Sequence, residues 1–427
     1  MRMFAAVAAT AVAALVAQLL VARRRRQRQR ITASQLDTPT LLLDVEALEH
    51  NITTLAHFAR RHRLLWRPHC KAIRNADMAN MMIRAGACGV TCAKVSQAVA
   101  LVDGGVADVL IANEVVGPHK IAELVHLARR AVVGVAVDDA SNLRQLSSAA
   151  VAGGVRLAVL VDVDAGMGRC GVPHDDTARI IALCRAAIAL PSITFRGLMG
   201  YDGHTQSGSA EARLEATCFA QRLGAVKKAV EAAGIDVGVV SGAGSGNFAR
   251  AAQLGVVSEL QAGGGVLFCG AYQKYHANWG QAADERAECA QLRPALHLLA
   301  QVVSVATPGR IVADAGFKAS VPVPFPPTRD AMPQCVSHSG LRVTTINAEH
   351  MVLAAAPDAA PTLSLGSRLI LVPCYSDSTT LLHRVAYGVR QGGGPSASFG
   401  CDRGLLDPDT MVVECEFDLR PSMGALF

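Results

Sequence analysis

A single repeating pattern constrains how this chain can fold. From Leu36 to about Pro294, short apolar runs alternate with stretches whose apolar residues recur every three or four positions. The apolar runs carry almost no polar alternation, which is typical of parallel strands buried on both faces, and the stretches between them are typical of amphipathic helices. Roughly eight such units predict an α/β fold with a closed (β/α)8 TIM-type barrel. An open doubly wound sheet is the alternative, but it usually needs fewer units.

The pattern changes after the barrel segment. Strand-like runs at residues 298–306, 367–376 and 410–419 are separated by turns rich in Pro and Gly, without helices between them. These runs predict a second, mainly antiparallel β domain. We therefore divide the chain into an N-terminal segment 1–35, a barrel 36–292 and a β domain 293–427. Hydrophobic residues make up 51% of the 427 residues, which is ample for two cores.

The net charge of +6 is concentrated in one short segment. Arg23–Arg26, Arg28 and Arg30 supply six positive charges, so the remainder is near neutral and offers no basic face for a nucleic acid. The twelve cysteines are scattered without CxxC pairs. This usage is typical of reduced, buried thiols rather than of a disulfide framework or a zinc ribbon.

Residues 3–22 form an uncharged run rich in Ala, Val and Leu, directly before the arginine cluster. The run is long enough to cross a bilayer as a helix, and the positive-inside rule would then leave the folded part of the chain on the cytoplasmic side. This order favours membrane association through a signal anchor. A mitochondrial presequence is the alternative, because arginine is abundant and no acidic residue precedes Asp37. A cleaved secretory peptide is disfavoured, because the charges follow the apolar run.

The first candidate for chemistry is Lys71, which ends the run RLLWRPHCK (63–71). The run is typical of a strand and precedes an amphipathic stretch, so Lys71 is expected at the carboxyl end of a barrel strand, where barrel enzymes keep their sites. A lysine in a partly dry pocket loses proton affinity and can form a Schiff base with an aldehyde cofactor. Taken alone, residues 67–71 also fit an ordinary surface lysine.

Later strands add polar groups and glycine-rich turns at the same end of the barrel. Arg169 follows one strand, and Tyr201 and His204 follow another. The turns SGAGSGN (241–247) and QAGGG (261–265) offer consecutive backbone N–H groups that can surround an anion. Two such turns at neighbouring late strands match the phosphate position of a barrel. Together with Lys71, they predict a cofactor site.

An ordered set of motifs now points to a family. The motifs are TPTLLLD, RPHCK, GVTCAK, ANEVVGP, VDVDAGMGRCGV, GLMGYDGH, VSGAGSG, ELQAG, AEH and VPCYSD…LLH. In this order they resemble the D-threonine aldolase and D-serine dehydratase-like proteins, which have the alanine racemase fold type of pyridoxal phosphate enzymes. The resemblance covers residues 36–427. It implies a pyridoxal 5'-phosphate barrel, a C-terminal β domain, usually a homodimer, and often a divalent metal (Mn²⁺ or Zn²⁺) beside the cofactor.

Carried over position by position, the resemblance implies roles for individual residues. Lys71 matches the Schiff-base lysine, Arg169 the residue that faces the pyridine nitrogen, and Tyr201 an active-site tyrosine. An arginine at that nitrogen keeps it unprotonated and makes the ring a milder electron sink. His69 either contacts the cofactor or is a structural histidine. The residues expected at the phosphate are Ser241, Gly244, Ser245, Gly246, Gly263 and Gly264.

The chain departs from the family at the metal site. The family polarises the β-oxygen of its substrate with a metal held by a late His-x-Asp or His-x-Cys pair. Here VPCYSD retains Asp377 as a metal-ligand candidate, but Tyr375 replaces the histidine. A neutral phenol is a poor ligand, so we expect metal binding to be weakened or lost. Tyr375 could instead bind as phenolate, or act directly as acid and base for the β-hydroxyl.

The resemblance implies a pyridoxal phosphate-dependent lyase that acts on a D-configured β-hydroxy amino acid. The expected reaction is retro-aldol cleavage of a D-threonine-type substrate to glycine and an aldehyde, with Lys71 and Tyr375 as catalytic residues and His204 as a candidate base. A D-serine or D-threonine dehydratase, which gives a 2-keto acid and ammonia, would use the same parts. A low-activity pyridoxal phosphate-binding relative is a further alternative, because Tyr375 and Gly265 stand where active members carry catalytic groups.

Overall fold

The computed structural model describes residues 31–279, 291–322, 332–355, 363–391 and 406–419. Up to residue 279, strands and helices alternate as the sequence pattern predicts. The strands are β1 (Thr40–Asp44), β2 (Leu65–Trp66), β3 (Val90–Cys92), β4 (Asp108–Glu114), β5 (Val132–Val137), β6 (Leu157–Asp164), β7 (Val172–Pro173), β8 (Ile193–Gly200), β9 (Val239–Gly242) and β10 (Glu259–Leu260). The helices are α1 (Val45–Arg61), α2 (Ala76–Arg84), α3 (Val95–Asp103), α4 (Pro118–Leu127), α5 (Ala140–Gly153), α6 (Thr177–Ala189), α7 (Ala210–Ala232), α8 (Phe248–Leu254) and α9 (Gly270–Trp279), with short 3-10 helices at Ala33–Gln35, Gly203–Thr205 and Gly264–Val266.

Eight of these strands form a closed parallel barrel. Their order around the ring is β2, β10, β9, β8, β6, β5, β4, β3, and each pair of neighbours in that order is parallel. The ring closes between β2 and β3 through a parallel bridge from His69 to Thr91, where the Cys70 N–H donates to the Thr91 carbonyl at 2.7 Å. The predicted (β/α)8 barrel is therefore confirmed, and its closing bridge lies immediately upstream of Lys71.

Polar caps determine where several helices begin. The side chains of Asp44, Asn75, Asp139 and Ser209 each accept a hydrogen bond from a backbone N–H in the first turn of the following helix. Such a cap satisfies a donor that would otherwise have no partner at the start of the helix. Because Asp44 is the last residue of β1 and Asp139 lies just beyond β5, the caps also keep the strand-to-helix connections short.

The rest of the described chain builds a second sheet. Its remaining elements are β11 (Leu296–Thr307), β12 (Arg310–Ala313), β13 (Gln334–Cys335), β14 (Leu341–Ile346), β15 (Met351–Ala355), β16 (Arg368–Val372), the helix α10 (Ser376–Leu382), β17 (Val385–Gln391) and β18 (Met411–Asp418). The sheet order is β14, β15, β12, β11, β1, β17, β18, and β16 pairs with both β11 and β13. Apart from β1 with β17, these pairs are antiparallel, so the predicted mainly antiparallel domain is confirmed.

Strand β1 belongs to the second sheet, although the sequence pattern places it in the barrel segment 36–292. It lies between β11 and β17, with Leu41, Leu42 and Leu43 buried, and the barrel ring is complete without it. An apolar strand buried on both faces has the same sequence pattern in either sheet, so the pattern could not assign it. The domain boundaries at 36–292 and 293–427 remain a prediction.

The predicted localisation requires a correction. Among the helices of the described residues, we find none with the length and apolar character that crossing a bilayer requires. Residues 3–22, to which we assigned the anchor or the mitochondrial presequence, lie outside the described residues. Neither the membrane-anchored nor the mitochondrial localisation is carried further.

The buried cap Asp44 should make stability depend on pH. Its side chain is 0% exposed, Oδ1 accepts the Ala47 N–H at 3.0 Å, and Oδ2 has no hydrogen-bond partner among the described residues. Burial raises the Asp44 pKa from 3.8 to about 7 and outweighs the opposing effect of the Ala47 N–H. Between about pH 4 and pH 7 the Asp44 carboxyl is ionised in the unfolded chain but still protonated in the folded chain. The free energy of unfolding therefore falls as pH rises through this range. We expect Asp44→Asn to gain stability relative to the native protein across this window, by up to roughly 4 kcal/mol.

Asp139→Asn is the matched control, because Asp139 is an exposed cap for α5. Hydrogen bonds from the N–H groups of Asn142 and Ser141 lower its pKa. The Asp139 carboxylate stabilises the folded protein at neutral pH, and this stabilisation is lost as pH falls. Asp139→Asn should therefore be less stable than the native protein at neutral pH and equally stable in acid. Calorimetric Tm values of both variants between pH 4 and pH 8 test this. Equal slopes for the two variants would contradict the assignment of Asp44.

Candidate active site

A cavity of about 180 Å³ lies at the carboxyl ends of the barrel strands. This is the end at which parallel barrels bind their ligands. Side chains from β4, β8 and the loops after β2, β3, β6, β9 and β10 contribute to the wall. The lining residues are His69, Lys71, Ala93, Ala112, Asn113, Arg169, Met199, Tyr201, Ala243, Gly244, Ser245, Gln261, Gly263, Gly264 and Tyr272.

Lys71 lies against an acidic partner from the second sheet. Its Nζ is 3.3 Å from Oδ2 of Asp377 on α10 and 6.0 Å from the centroid of the Tyr201 ring. Burial lowers the Lys71 pKa, but the interactions with Tyr201 and with the Asp377 carboxylate outweigh it, so the pKa is raised above its usual value. The expectation that the pocket lowers the pKa of Lys71 is therefore wrong, because the amine is buried beside the carboxylate of Asp377.

His69 supports the backbone at Lys71. The Lys71 N–H donates to His69 Nδ1 at 3.2 Å. Burial lowers the pKa of His69 to about 3, and the positive charges of Lys71 and Arg169 lower it further. The ring is therefore neutral at ordinary pH, with Nδ1 as an acceptor.

Arg169 is positioned by the turn that follows β6. Asp164 accepts the N–H groups of Gly166 and Gly168, each at 3.0 Å, and this turn brings the Arg169 guanidinium over the Tyr201 ring, with Cζ 5.1 Å from the centroid. Such a stacked cation is attracted by the ring quadrupole. The structure thus brings Lys71, Arg169 and Tyr201 together, as the motifs predict.

The glycine-rich turns form a cradle with free donors. The N–H groups of Gly244 and Gly246 are bonded to Asn247 Oδ1 and Gln206 Oε1, whereas no acceptor within the described chain meets the N–H groups of Ser245, Gly263 and Gly264. A Cβ built on Gly263 would lie 2.2 Å from the His69 carbonyl oxygen, and one on Gly264 would lie 2.6 Å from the Tyr272 hydroxyl. Free N–H groups lining a narrow space suit a phosphate. With Lys71 on the same wall, the donor set fits pyridoxal phosphate.

Tyr375 and Asp377 are not among the residues that line this cavity, although Asp377 contacts the lining residue Lys71. Three further predicted site residues do not line it either. Ser241 is 0% exposed and donates to Glu259 Oε1 at 2.8 Å, inside the barrel. Gly246 lies against Gln206, behind the cavity wall. His204 lies on the 3-10 turn after β8, with Nε2 3.4 Å from Glu215 Oε1 of α7. A sequence motif does not show which of its residues face the cavity. In this structure the turns direct Ser241, Gly246 and His204 away from it.

Apart from three alanines, sequence reasoning missed four side chains of the lining. Asn113, Met199 and Gln261 lie at the ends of barrel strands, and Tyr272 reaches the cavity from α9. Gln261 stands inside the quoted QAGGG motif, so its position was a usable signal. Tyr272 had none, because it follows a 3-10 turn whose direction the sequence does not reveal. Its hydroxyl reaches the space beside Gly264.

Tyr375 and Asp377 form a direct hydrogen bond. The Tyr375 hydroxyl donates to Asp377 Oδ2 at 3.0 Å, the same oxygen that faces Lys71 Nζ. Burial, and next the charge of Asp377, raise the Tyr375 pKa well above its usual range. Without a metal ion beside it, Tyr375 is therefore a neutral phenol that donates its proton to Asp377.

The residues at this position do not fit a divalent metal. Asp377 already binds a hydroxyl and an ammonium, and Tyr375 offers no anionic oxygen. Across the described residues, no group of three or more His, Cys, Asp or Glu side chains is arranged to hold a metal ion. His383, the next histidine along the chain after Asp377, does not lie at this position as a ligand and contacts the Ala319 carbonyl oxygen at 2.8 Å.

Comparisons with known proteins agree with this architecture. The family profile described as "Alanine racemase, N-terminal domain" matches residues 43–269, and the profile described as "Putative serine dehydratase domain" matches residues 295–389. A D-threonine aldolase from Arthrobacter sp is 39% identical over 364 residues, which cover 84% of this chain and 90% of that protein. A 3-hydroxy-D-aspartate aldolase from Paracoccus denitrificans (strain Pd 1222) is 34% identical over 368 residues, with coverage of 84% and 90%.

A solved structure extends the likeness to three dimensions. The crystal structure of D-threonine aldolase from Filomicrobium marinum matches with a TM-score of 0.81 at 32% sequence identity. The match covers 94% of this chain and 99% of that chain. Both the barrel and the second sheet are therefore included.

Gly263 should be intolerant of a side chain. A Cβ at this position would collide with backbone atoms of His69, which also carries the bridge that closes the barrel. We expect Gly263→Ala to lower stability by roughly 1–3 kcal/mol and to weaken binding of pyridoxal phosphate by about tenfold or more. Absorbance titration and Tm measure the two effects.

Gly265→Ala is the control, because a Cβ at that position meets nothing closer than 3.4 Å. Both alanines lie in the same turn and differ mainly in the space around the added methyl group. Equal affinity and Tm for the two variants would show that the close approach of Gly263 to His69 does not matter.

Proposed function

Since this chain belongs to the D-threonine aldolase and D-serine dehydratase-like family of the alanine racemase fold, we propose that it is a pyridoxal phosphate-dependent lyase that cleaves D-configured β-hydroxy amino acids to glycine and an aldehyde. The observation that carries the proposal is the position of Lys71, which lines a cavity together with free phosphate donors, while its Nζ lies 3.3 Å from Asp377 Oδ2, the oxygen that accepts the Tyr375 hydroxyl. The relatives named above include aldolases for both D-threonine and 3-hydroxy-D-aspartate.

The cavity residues divide into holding and reacting groups. Bound pyridoxal phosphate supplies an aldehyde that captures an amine and a ring that accepts the electron pair released at Cα. We propose that Lys71 Nζ holds the cofactor covalently and that the N–H groups of Ser245, Gly263 and Gly264 hold its phosphate. Arg169, stacked on Tyr201, lies on the same wall and would face the ring.

Tyr375 and Asp377 are proposed to move the proton of the β-hydroxyl. Retro-aldol cleavage requires that the β-O–H bond breaks as the carbonyl of the aldehyde forms. The Tyr375 oxygen would take that proton while its own proton passes to Asp377 Oδ2, along the existing 3.0 Å hydrogen bond. Lys71 Nζ lies 3.3 Å from the same oxygen, so a positive charge on that nitrogen would stabilise the carboxylate. No metal ligand enters this scheme.

The products distinguish the proposal from its alternatives. Incubated with D-threonine, the native protein should release glycine and acetaldehyde in equal amounts, because the bond that breaks joins Cα and Cβ. Borohydride reduction of the cofactor-loaded protein should label Lys71, and Lys71→Ala should lose both the label and activity. Mass spectrometry of the labelled peptide and an aldehyde assay measure these outcomes.

A 2-keto acid with ammonia would instead indicate a dehydratase. Normal cofactor loading without any product from D-threonine, D-serine or 3-hydroxy-D-aspartate would indicate a low-activity cofactor-binding relative. A label on another lysine would contradict the role given to Lys71.

Tyr375→Phe should separate catalysis from cofactor binding. The change removes only the hydroxyl, so we expect kcat to fall by roughly 10²–10⁴ while the affinity for pyridoxal phosphate stays within about twofold. Steady-state kinetics and absorbance titration measure the two. Removal of divalent metals by a chelator should leave the kcat of the native protein unchanged, because Asp377 is engaged by Tyr375 and Lys71.

Tyr387→Phe is the matched control. Tyr387 lies on β17 in the second sheet, opposite Leu42 of β1, and it should tolerate the same change with unaltered kcat. Retained activity in Tyr375→Phe, or activity of the native protein that chelation abolishes, would refute the proposed proton transfer.

We also propose a homodimer, as the family resemblance implies. Leu381 and Leu382 support this proposal, since they are 63% and 42% exposed on α10, the helix that carries Asp377. Exposed apolar side chains of this size are often covered by a partner.

A further inference from the structure

A row of buried polar side chains crosses the barrel interior and ends at the cavity. Arg67, just beyond β2, donates through Nε to Glu259 Oε2 at 2.8 Å and through Nη1 to Asp108 Oδ1 at 2.6 Å. Ser241 donates to the other oxygen of Glu259 at 2.8 Å, and Gln261 Nε2 donates to Ser241 Oγ at 2.9 Å. Arg67, Glu259, Ser241 and Gln261 are all nearly inaccessible to solvent. Of the four, Gln261 lines the cavity.

The chemistry of these groups leaves one arrangement of hydrogens. A guanidinium has only donors, and a carboxylate paired with it only accepts, so Ser241 must direct its single hydrogen at Glu259. The Ser241 oxygen then has only lone pairs left for Gln261. Gln261 must therefore present its NH₂ group to Ser241, which determines the orientation of an amide whose two ends look alike.

The backbone of Gln261 is also fixed by hydrogen bonds. Its N–H donates to the Gly242 carbonyl at 2.8 Å, and its own carbonyl accepts the His69 N–H at 3.0 Å. Both neighbours in the ring thus restrain the residue. With the NH₂ group turned to Ser241, the Oε1 acceptor is the end left for the cavity.

We infer that Gln261 is a cofactor-binding residue whose Oε1 accepts a hydrogen bond from a proton on the pyridoxal ring, and that Arg67, Glu259 and Ser241 are positioning residues that act through it. The inference rests on the cofactor of the proposed function. The 3-hydroxyl of the pyridoxal ring is such a donor, whereas the ring nitrogen, which the family resemblance places opposite Arg169, carries no proton to donate. An acceptor aimed at the 3-hydroxyl stabilises the protonated form of the ring.

This assignment also gives Ser241 a role different from the phosphate contact that its motif predicts. The Ser241 hydroxyl hydrogen is committed to Glu259, and the side chain does not reach the cavity surface. An effect of Ser241 on the cofactor must therefore pass through Gln261. That difference makes the two roles separable by experiment.

A double-mutant cycle with Gln261→Met and Ser241→Ala tests the inference. Methionine keeps the length of the glutamine side chain but removes both polar atoms. We expect Gln261→Met to weaken pyridoxal phosphate binding by about 5- to 30-fold and to lower the pH at which the ring absorption band titrates, because the protonated ring loses its acceptor. Ser241→Ala should change both readouts in the same direction by a smaller amount, and it should add less than about twofold in the Gln261→Met background.

Ser258→Ala is the matched control, because the Ser258 hydroxyl accepts the Val240 N–H at 2.9 Å in the same ring but is not bonded to the row. It should leave both readouts unchanged, and a Tm for each variant verifies that it is folded.

A Ser241→Ala effect that persists in full without Gln261 overturns the inference in favour of direct phosphate contact. A Gln261→Met protein with native affinity and native titration also overturns it, while the proposed function stands. A native protein that binds no pyridoxal phosphate overturns both.

Discussion

Closure of the parallel ring between β2 and β3 is the constraint on which the site depends. The strands meet through backbone hydrogen bonds at His69 and Thr91, and the chain then turns at once to place Lys71 over the barrel mouth. The same backbone segment presses against Gly263, so the close approach that seals the ring also narrows the cradle for an anion. Beneath it, the buried pair of Arg67 and Glu259 joins the end of β2 to β10, the neighbour on its other side. Two charges so deeply buried are stable only as a bonded pair, which makes the interior intolerant of losing either.

The residues proposed to react come from the barrel and from the chain that builds the second sheet. The barrel supplies Lys71, Arg169 and the glycine-rich turns, whereas Asp377 and Tyr375 come from the loop and helix after β16. Strand β1 ties the two parts together, since it lies inside the second sheet and leads directly into α1. One oxygen of Asp377 then meets both the amine of Lys71 and the hydroxyl of Tyr375. This shared contact contributes to the raised pKa of Lys71 and removes the ligand set that a metal would require.

The prediction from sequence succeeded where a local pattern has a single structural meaning. Alternating apolar runs and helical stretches correspond to a parallel barrel because strands buried on both faces need helices outside them. Lys71 and Arg169 were found because strand ends in a barrel converge at one mouth. The prediction was incomplete where the direction of a side chain mattered. Ser241 and His204 both stand in the predicted motifs, but Ser241 points into the barrel interior and His204 points toward Glu215. Gln261 was overlooked within a motif that was read only for its glycines.

The amino-acid sequence by itself determined the barrel, the antiparallel second domain, the family, and the candidate cofactor lysine, because these follow from periodicity and from ordered motifs along the chain. Tertiary structure alone decided that β1 leaves the barrel for the other sheet and that the Lys71 pKa rises rather than falls. It also decided that the amide of Gln261 can point only one way. The place of β1 and the pKa of Lys71 depend on partners more than a hundred residues away along the chain. The orientation of Gln261 depends on the order of donors and acceptors in a buried row, and a local stretch of sequence contains neither kind of information.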